Sequence, residues 1–292
     1  MSPASPDAPG PRGSIAVAGR LAANDPGPRA RPSGDRPIVW QIAEEVPVSL
    51  CYDGRPHAVM MTTPTDLEDF ARGFSLSEGL VGSIDEIERI QLTPARRGLR
   101  IDLHLAPAAL PRTRLAATGP RAIEGRSGCG LCGVRTLDEA FRPFATDRLA
   151  TGIPTAALLR AFDALPDAQP LNRENRSVHA AAWCSLGGEI ELVREDVGRH
   201  NALDKLIGAR LVAAAASPGG SARAFADGFV VMTSRCSFEL VQKCAVVGIT
   251  CLATVSAPTS LALDVAREAG LRVVVRAEDG IVSFGGPEDV TR

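Results

Sequence analysis

The stretch DGFVVMTSRCSFELVQKCAVVGITCLATVSAPTSLALDVAREAGLRVVVRA, residues 227–277, decides the fold. FVVM is a short apolar run bounded by polar residues and reads as a buried strand. CSFELVQKCAVVG then carries a helical pattern that stops at Gly248, ITCLATVS is a second strand, APTSLALDVAREAG a second helix and LRVVVRA a third strand. Strand–helix–strand–helix–strand is the order of a parallel α/β sheet. Right-handed crossovers place both strand-to-helix turns, Ser234–Arg235 and Ser256–Ala257–Pro258, at the carboxyl edge of that sheet. Free backbone N–H groups at helix starts attract anions there, and Arg235 adds a planar fork suited to phosphate. The same spacing also fits a surface arginine with ordinary capping serines.

Upstream, VHAAAWCSLGGEIELVRED (178–196) suggests a hairpin around Gly187–Gly188, and NALDKLIGARLVAAAA (201–216) is strongly helical. The segment REDVGRHNALDKLIG (194–208) crowds Glu195, Asp196, Arg199, His200, Asn201, Asp204 and Lys205 around the expected helix start. A solvated helix end explains those charges, but His200 and Asn201 just past a glycine favour a functional role. Further upstream, VPVSLCYDGRPHAVMMT (46–62) reads as two strands joined by an Asp53–Gly54 turn. Thr63 and Pro64 read as N-cap and first residue of a helix whose buried face is Leu67, Phe70, Ala71 and Phe74. LRIDLHL (99–105) alternates strictly, which puts His104 on a wet face, and His57 beside the turn is expected at the surface. Two more helices are expected near 136–146 and 154–165.

Between the two halves lies RSGCGLCGVR (126–135), where Cys129 has glycine on both sides and Cys132 is followed by Gly133. Glycine lowers the rigidity of a backbone. Three chemistries suit such a pair: half of a zinc site, a redox disulfide, or a swinging arm that carries sulfur. Structural zinc wants four ligands, commonly from a second Cys-x-x-Cys or a spaced histidine pair. The chain has neither, so zinc would need scattered partners such as His179, Cys184 or His200, and no metal is expected. Thioredoxin-type pairs open a helix, which these glycines disfavour. A carrier must attack a donor persulfide as a thiolate and move the acquired sulfur to an acceptor. Cys51, Cys184, Cys244 and Cys251 fall in apolar patterns and read as small buried residues. Cys236, beside Arg235 at a helix start, is the other thiol of interest. A nucleobase deaminase needs His-x-Glu and a later Pro-Cys-x-x-Cys, whereas His179 is followed by Ala180–Ala181 and the cysteine pair comes first.

The 292 residues, 45 % hydrophobic and 23 % charged, suit a globular protein, and a net charge of −2 gives no field that would attract nucleic acid or an anionic membrane. The longest apolar run, 244–255, is shorter than the ~20 residues of a membrane helix. Seven irregularly spaced cysteines do not form a disulfide framework, which points to the cytoplasm. Residues 1–37 hold eight prolines and five glycines, without an apolar signal core, and read as an unfolded tail. The expected organisation is that tail, an α+β subdomain over 38–115, a mobile Cys-x-x-Cys loop over 116–136 and an α/β core over 137–292.

EEVPVSL, MTTPTDLEDFARGFSLSEGL, SGCGLCGV, VHAAAW, EDVGRHNALDKLIG, TSRCSFELVQK and VSAPTSLAL occur in this order. With these motifs the chain resembles the FdhD family, sulfur carriers required to mature formate dehydrogenase. The resemblance implies a cytidine-deaminase-like three-layer α/β sandwich, a homodimer, and sulfur accepted from a cysteine desulfurase. It implies a persulfide on Cys129 with Cys132 as second thiol. The acceptor it implies is the bis-molybdopterin guanine dinucleotide form of the molybdenum cofactor, bound as cargo before formate dehydrogenase receives it. The residues expected to hold that cargo are His200, Arg235, Ser256, Ala257, Pro258 and Thr259. To them the resemblance adds a late segment of Arg276, Ala277, Glu278, Asp279, Gly280 and Ile281.

Overall fold

A computed structural model describes residues 13–21, 36–109, 152–216, 220 and 223–285. Cys129, Cys132, the loop at 116–136 and the helix expected near 136–146 lie outside the described residues.

The chain opens with a two-stranded antiparallel ribbon, β1 (Ser14–Leu21) and β2 (Arg36–Ala43). The hairpin of β3 (Val46–Tyr52) and β4 (Arg55–Thr62) turns at Asp53 and Gly54, both at positive φ (47° and 77°) as its two-residue loop requires. Helix α1 (Leu67–Ser77) follows, then β5 (Ile87–Ala95) and β6 (Gly98–Leu105), which complete a four-stranded sheet in the order β4-β3-β6-β5. Beyond the undescribed stretch come α2 (Thr155–Ala164) and the short α3 (Pro170–Asn175). β7 (His179–Ser185) and β8 (Ile190–Asp196) form the expected hairpin and lead into α4 (Arg199–Ala215). The alternating segment is β9 (Gly228–Cys236), α5 (Phe238–Val247), β10 (Cys251–Pro258), α6 (Ser260–Glu268) and β11 (Arg272–Ala277), with β12 (Gly280–Phe284) folding back antiparallel.

The second sheet runs β12-β11-β10-β9-β7-β8, with β9, β10 and β11 parallel as the sequence pattern requires. One face packs on α2 through Leu158, Phe162, Val231 and Ala253, and the other on α4, α5 and α6 through Leu203, Met232, Val241 and Val265. This is the three-layer α/β sandwich expected. Helix α1 lies against α4 and covers the four-stranded sheet with Phe70 and Phe74, giving the smaller α+β unit. Because α4 is enclosed between α1 and the sheet, its polar Asn201, Asp204 and Lys205 are buried along with its apolar residues.

Two glycines set the closeness of that helix pair. A Cβ on Gly73 of α1 would sit 1.7 Å from the Asp204 carbonyl oxygen, and one on Gly208 of α4 would sit 2.0 Å from that of Asp69. Neither backbone can yield without the other helix moving.

Four details differ from the sequence reading. Residues 14–21, placed in an unfolded tail, form a strand, because Ile15 and Val17 pair with Ile42 and Trp40 across the ribbon. Helix α1 starts at Leu67 and not at Pro64, since the Thr63 hydroxyl accepts from the Val197 N–H at 3.1 Å instead of capping, with its backbone held by Asp196 and Lys205. His57 is buried, its ring edge-on to Tyr52 at 5.4 Å and to Phe74 at 6.1 Å. Strands β9 and β10 run on to Cys236 and Pro258, so the helix caps are Ser237 and Thr259. Among the described residues, no helix is long and apolar enough to cross a membrane.

Gly208→Ala should therefore force α1 and α4 apart and cost about 3 kcal/mol; urea unfolding of the variant against the parent measures it, and an unchanged midpoint contradicts the close packing.

Candidate functional site

The carboxyl edge of the larger sheet collects several chain segments. β8, β9, β10 and β11 all end there, and the antiparallel β7 starts there, so His179 lies opposite Asp196. Helices α4, α5 and α6 begin at the same edge, at Gly198, Ser237 and Thr259. In register, Arg235 stands beside Ser256 and Cys236 beside Pro258, while the Thr259 N–H donates to the Cys236 carbonyl at 3.1 Å. The predicted turn residues Arg235, Ser256, Ala257, Pro258 and Thr259 are thus neighbours, with the Arg235 side chain exposed. Thr259 caps α6 by accepting from the Ala262 N–H at 3.3 Å. Ser237 caps α5 without using its side chain, and its buried Oγ has no partner.

His200 sits in the first turn of α4, within electrostatic reach of Arg199, Lys243, Glu78 and His179. Burial, assisted by the Arg199 and Lys243 cations, pushes its pKa down to about 3. Its buried Nε2 also lacks a partner. Burial likewise lowers the pKa of His179, with Arg199 assisting and Asp196 opposing. Two neutral imidazoles, an exposed guanidinium and three helix starts make an edge able to receive an anion through backbone N–H groups. His200 contributes a hydrogen-bonding nitrogen there and no charge.

The late segment is divided by the sheet. Arg276 points to the α2 face, where it pairs with Asp163 at 3.0 Å and lies over the Phe162 ring. Ala277, Gly280 and Ile281 belong to the β11–β12 hairpin, whose tip exposes the carboxylates of Glu278 and Asp279. Those two charges repel phosphate, so the helix starts are the better anion site. The unused Ser237 hydroxyl was missed in the sequence, although a serine before FELV is a recognisable cap signal.

The EDVGRHNALDK motif is mostly a fastening. Asp196, fully buried, accepts from the Thr63 N–H (3.0 Å), the Gly198 N–H (2.8 Å), Asn201 Nδ2 (3.0 Å) and Lys205 Nζ (2.7 Å). Lys205, also fully buried, donates in addition to the carbonyls of Thr63 (2.9 Å) and Glu195 (3.3 Å). The strand-to-helix junction that aims His200 is thereby tied to the end of β4. A second buried cluster joins Lys243 to Asp204, Glu78 and Ser77 at 2.8–2.9 Å. Burial raises the Asp204 pKa, and the Lys243 ammonium draws it back.

The remaining thiols are quiet. Cys51, Cys184, Cys236, Cys244 and Cys251 are buried. Burial pushes Cys184, Cys236 and Cys251 up to about 12 and Cys244 well above its ordinary value. Cys236 is therefore a core residue and not a reactive thiol at the helix start. Cys184 lies five residues along β7 from His179, about 16 Å away, so the two cannot share a zinc ion.

Fold and site together define a three-layer α/β protein whose sheet edge gathers three helix starts, an exposed arginine and two histidines. The FdhD/NarQ family profile matches residues 43–288. The sulfur carrier protein FdhD of Bordetella petrii is 44 % identical over 250 residues, covering 85 % of this chain and 86 % of that protein. That of Cupriavidus necator is 43 % identical, covering 83 % and 81 %. A formate dehydrogenase accessory protein from Desulfotalea psychrophila, solved by crystallography, superposes with a TM-score of 0.69 at 25 % identity, covering 94 % of this chain and 98 % of its own. This chain belongs to the FdhD/NarQ family.

Two outcomes follow from the geometry. Lys205→Met leaves Asp196 buried without its cation and should destabilise the fold by about 3–5 kcal/mol in denaturant unfolding. His200 has a folded pKa below its unfolded one, so the stability it confers is complete above pH ~6.5 and is lost as pH falls towards 3. His200→Gln should flatten the decline in stability between pH 6.5 and 4; an imidazole NMR signal of His200 that titrates near pH 6.5 would contradict the burial.

Proposed function

We propose that this chain is a sulfur carrier for formate dehydrogenase maturation, loading sulfur on Cys129 and presenting it to the molybdenum cofactor held at the carboxyl edge. The observation that carries this reading is the burial of every described cysteine. Five thiols enclosed in the core are poor nucleophiles, which leaves the glycine-flanked pair for chemistry, and the relatives named above are called sulfur carriers.

In the loading step, the Cys129 thiolate attacks the outer sulfur of the cysteine desulfurase persulfide. A new S–S bond forms, the donor's S–S bond breaks, and the donor cysteine leaves as thiolate. In delivery, the Cys132 thiolate attacks Cys129 Sγ, giving a 129–132 disulfide and expelling HS⁻ to the molybdenum of the cargo. The outer sulfur is reduced to sulfide as the two thiolates are oxidised, and a dithiol reductant then restores the pair. The cargo's guanine dinucleotides carry phosphates, which suit the starts of α4, α5 and α6. Arg235 supplies a guanidinium beside Ser256, and the unpartnered Ser237 Oγ and His200 Nε2 supply hydrogen bonds.

Incubation with a cysteine desulfurase and L-cysteine should add one sulfur atom to the Cys129 peptide by mass spectrometry. Cys129→Ala should lose both that increment and formate dehydrogenase activation; a variant that still activates the dehydrogenase overturns sulfur transfer and leaves a cofactor-holding chaperone. Arg235→Ala should weaken GDP binding about tenfold or more while sulfur loading is kept, and an unchanged titration removes Arg235 from the site.

A further inference from the structure

Helix α4 outruns helix α1. The two cross antiparallel where Gly208 meets Asp69 and Gly73 meets Asp204, so the start of α1 lies toward the end of α4. Helix α1 has 11 residues and α4 has 17, a difference in length of about 9 Å. Val212, one turn past Gly208, stays on the stripe that faces α1 but has no α1 left to cover it, and is 44 % exposed. Leu92 of β5 stands opposite Ile101, which α1 covers, yet it is itself 41 % exposed. With Leu67, Pro94 and Leu99 these two form the apolar floor of a groove of about 620 Å³.

The rim of this groove is acidic: Asp66, Glu68 and Asp69 line it against one cation, Arg72. Arg194, from β8, takes Asp69 with two N–H groups at 2.8–2.9 Å, and Arg72 takes Glu68 at 3.0 Å. Asp66 has only the looser approach of Arg194, at 3.7 Å. It stands at the N-cap of α1 yet caps no N–H, held at φ 52° in the left-handed region. Its side chain is 41 % exposed and that of Glu68 56 %. An uncovered apolar floor under accessible carboxylates fits a short amphipathic segment that carries lysine or arginine beside its apolar residues.

Position on the molecule selects the partner. Val212 lies 12 residues along α4 from His200, about 18 Å away, so an occupant of the groove leaves the carboxyl edge open. A protein that receives the cargo must reach that edge, whereas a protein that supplies sulfur need not. We propose that this groove docks a basic amphipathic segment of the cysteine desulfurase. The proposal rests on the sulfur-transfer reading above and adds to it the surface by which the donor is recognised.

Calorimetric titration of the full chain with a purified cysteine desulfurase tests it. Asp66→Asn and Glu68→Gln together should weaken binding about tenfold, and Val212→Lys more than tenfold. Val59→Lys, the same change at an exposed valine outside the groove, should bind as the parent does. Sulfur loading of Cys129 in the groove variants should need more desulfurase for half its maximal rate and reach the same maximum, and Cys129→Ala should bind as tightly as the parent. Should Val212→Lys unfold, the paired carboxylate variant decides alone. Groove variants that bind the desulfurase like the parent, a Val59→Lys equally weakened, or variants that lose binding to formate dehydrogenase or to a second copy instead each overturn the proposal while sulfur loading of the parent stands. A parent that takes up no sulfur overturns the sulfur-transfer reading, and the proposal with it.

Discussion

The ammonium of Lys205 is the constraint on which the rest of this structure depends. It has no solvent, so its charge must be met by Asp196 at 2.7 Å and its other protons by two backbone carbonyls. Removing an ion from water costs several kcal/mol, and only good geometry with saturated hydrogen bonds offsets that. The cluster meets both conditions, because Asp196 also takes three further N–H donors. Apolar residues of the same volume could give equal stability. They could not fix the direction in which the chain leaves β8, enters α4 and meets the end of β4, since only directional bonds do so.

That fixed direction produces the site. With the start of α4 tied down, His200 is held half-buried, where protonation is disfavoured and its buried Nε2 has no partner among the described residues. The adjoining helix starts are set by the sheet, because parallel strands with right-handed crossovers bring every strand-to-helix junction to one edge. The close Gly73–Gly208 crossing then lets Ser77, Asp204 and Lys243 meet directly, at 2.7–2.9 Å, between the two structural units.

The sequence revealed the sheet because periodicity and turn glycines act locally. FVVM, ITCLATVS and LRVVVRA needed no tertiary information to be read as strands. The burial of α4 was not legible in the same way. Its first two turns look solvated by composition, and only the placement of α1 over them encloses Asn201, Asp204 and Lys205. Thr63 misled for a related reason: its cap signal is genuine, but its hydroxyl accepts from the N–H of Val197, 134 positions later, instead of from a helix start beside it. The strand at 14–21 was hidden by the proline and glycine on either side, and its partner lies across a connection that composition alone marks as unfolded. His57 beside the Asp53–Gly54 turn was read as wet, and burial came from Phe74 on α1, which no local pattern shows. Among the residues proposed for the site, Arg235 and Ser256–Thr259 could be placed at one sheet edge from the sequence because they sit at element boundaries. Arg276 was placed with them by resemblance, whereas strand alternation turns its side chain to the opposite face.

A protein that handles sulfur chemically must keep its other thiols from competing. Thiolate fraction governs both attack and exchange, so five ordinary surface cysteines would spread a transferred sulfur over several positions. Burial solves this without removing the residues. Cys184, Cys236 and Cys251 are held neutral at pKa values about 12, with Cys244 higher than its ordinary range, and each also fills core volume. In the function proposed here, the sulfur chemistry and the anion site are separable in the sequence: one would use a short glycine-flanked pair, the other the rigid edge of a sheet. Such a division suits a transfer between two large partners, because the thiol has to change partners while the phosphates of the acceptor must stay where they are bound. An edge built on helix starts provides that fixity, since its donors are backbone amides already ordered by folding and cost no further entropy when a ligand arrives.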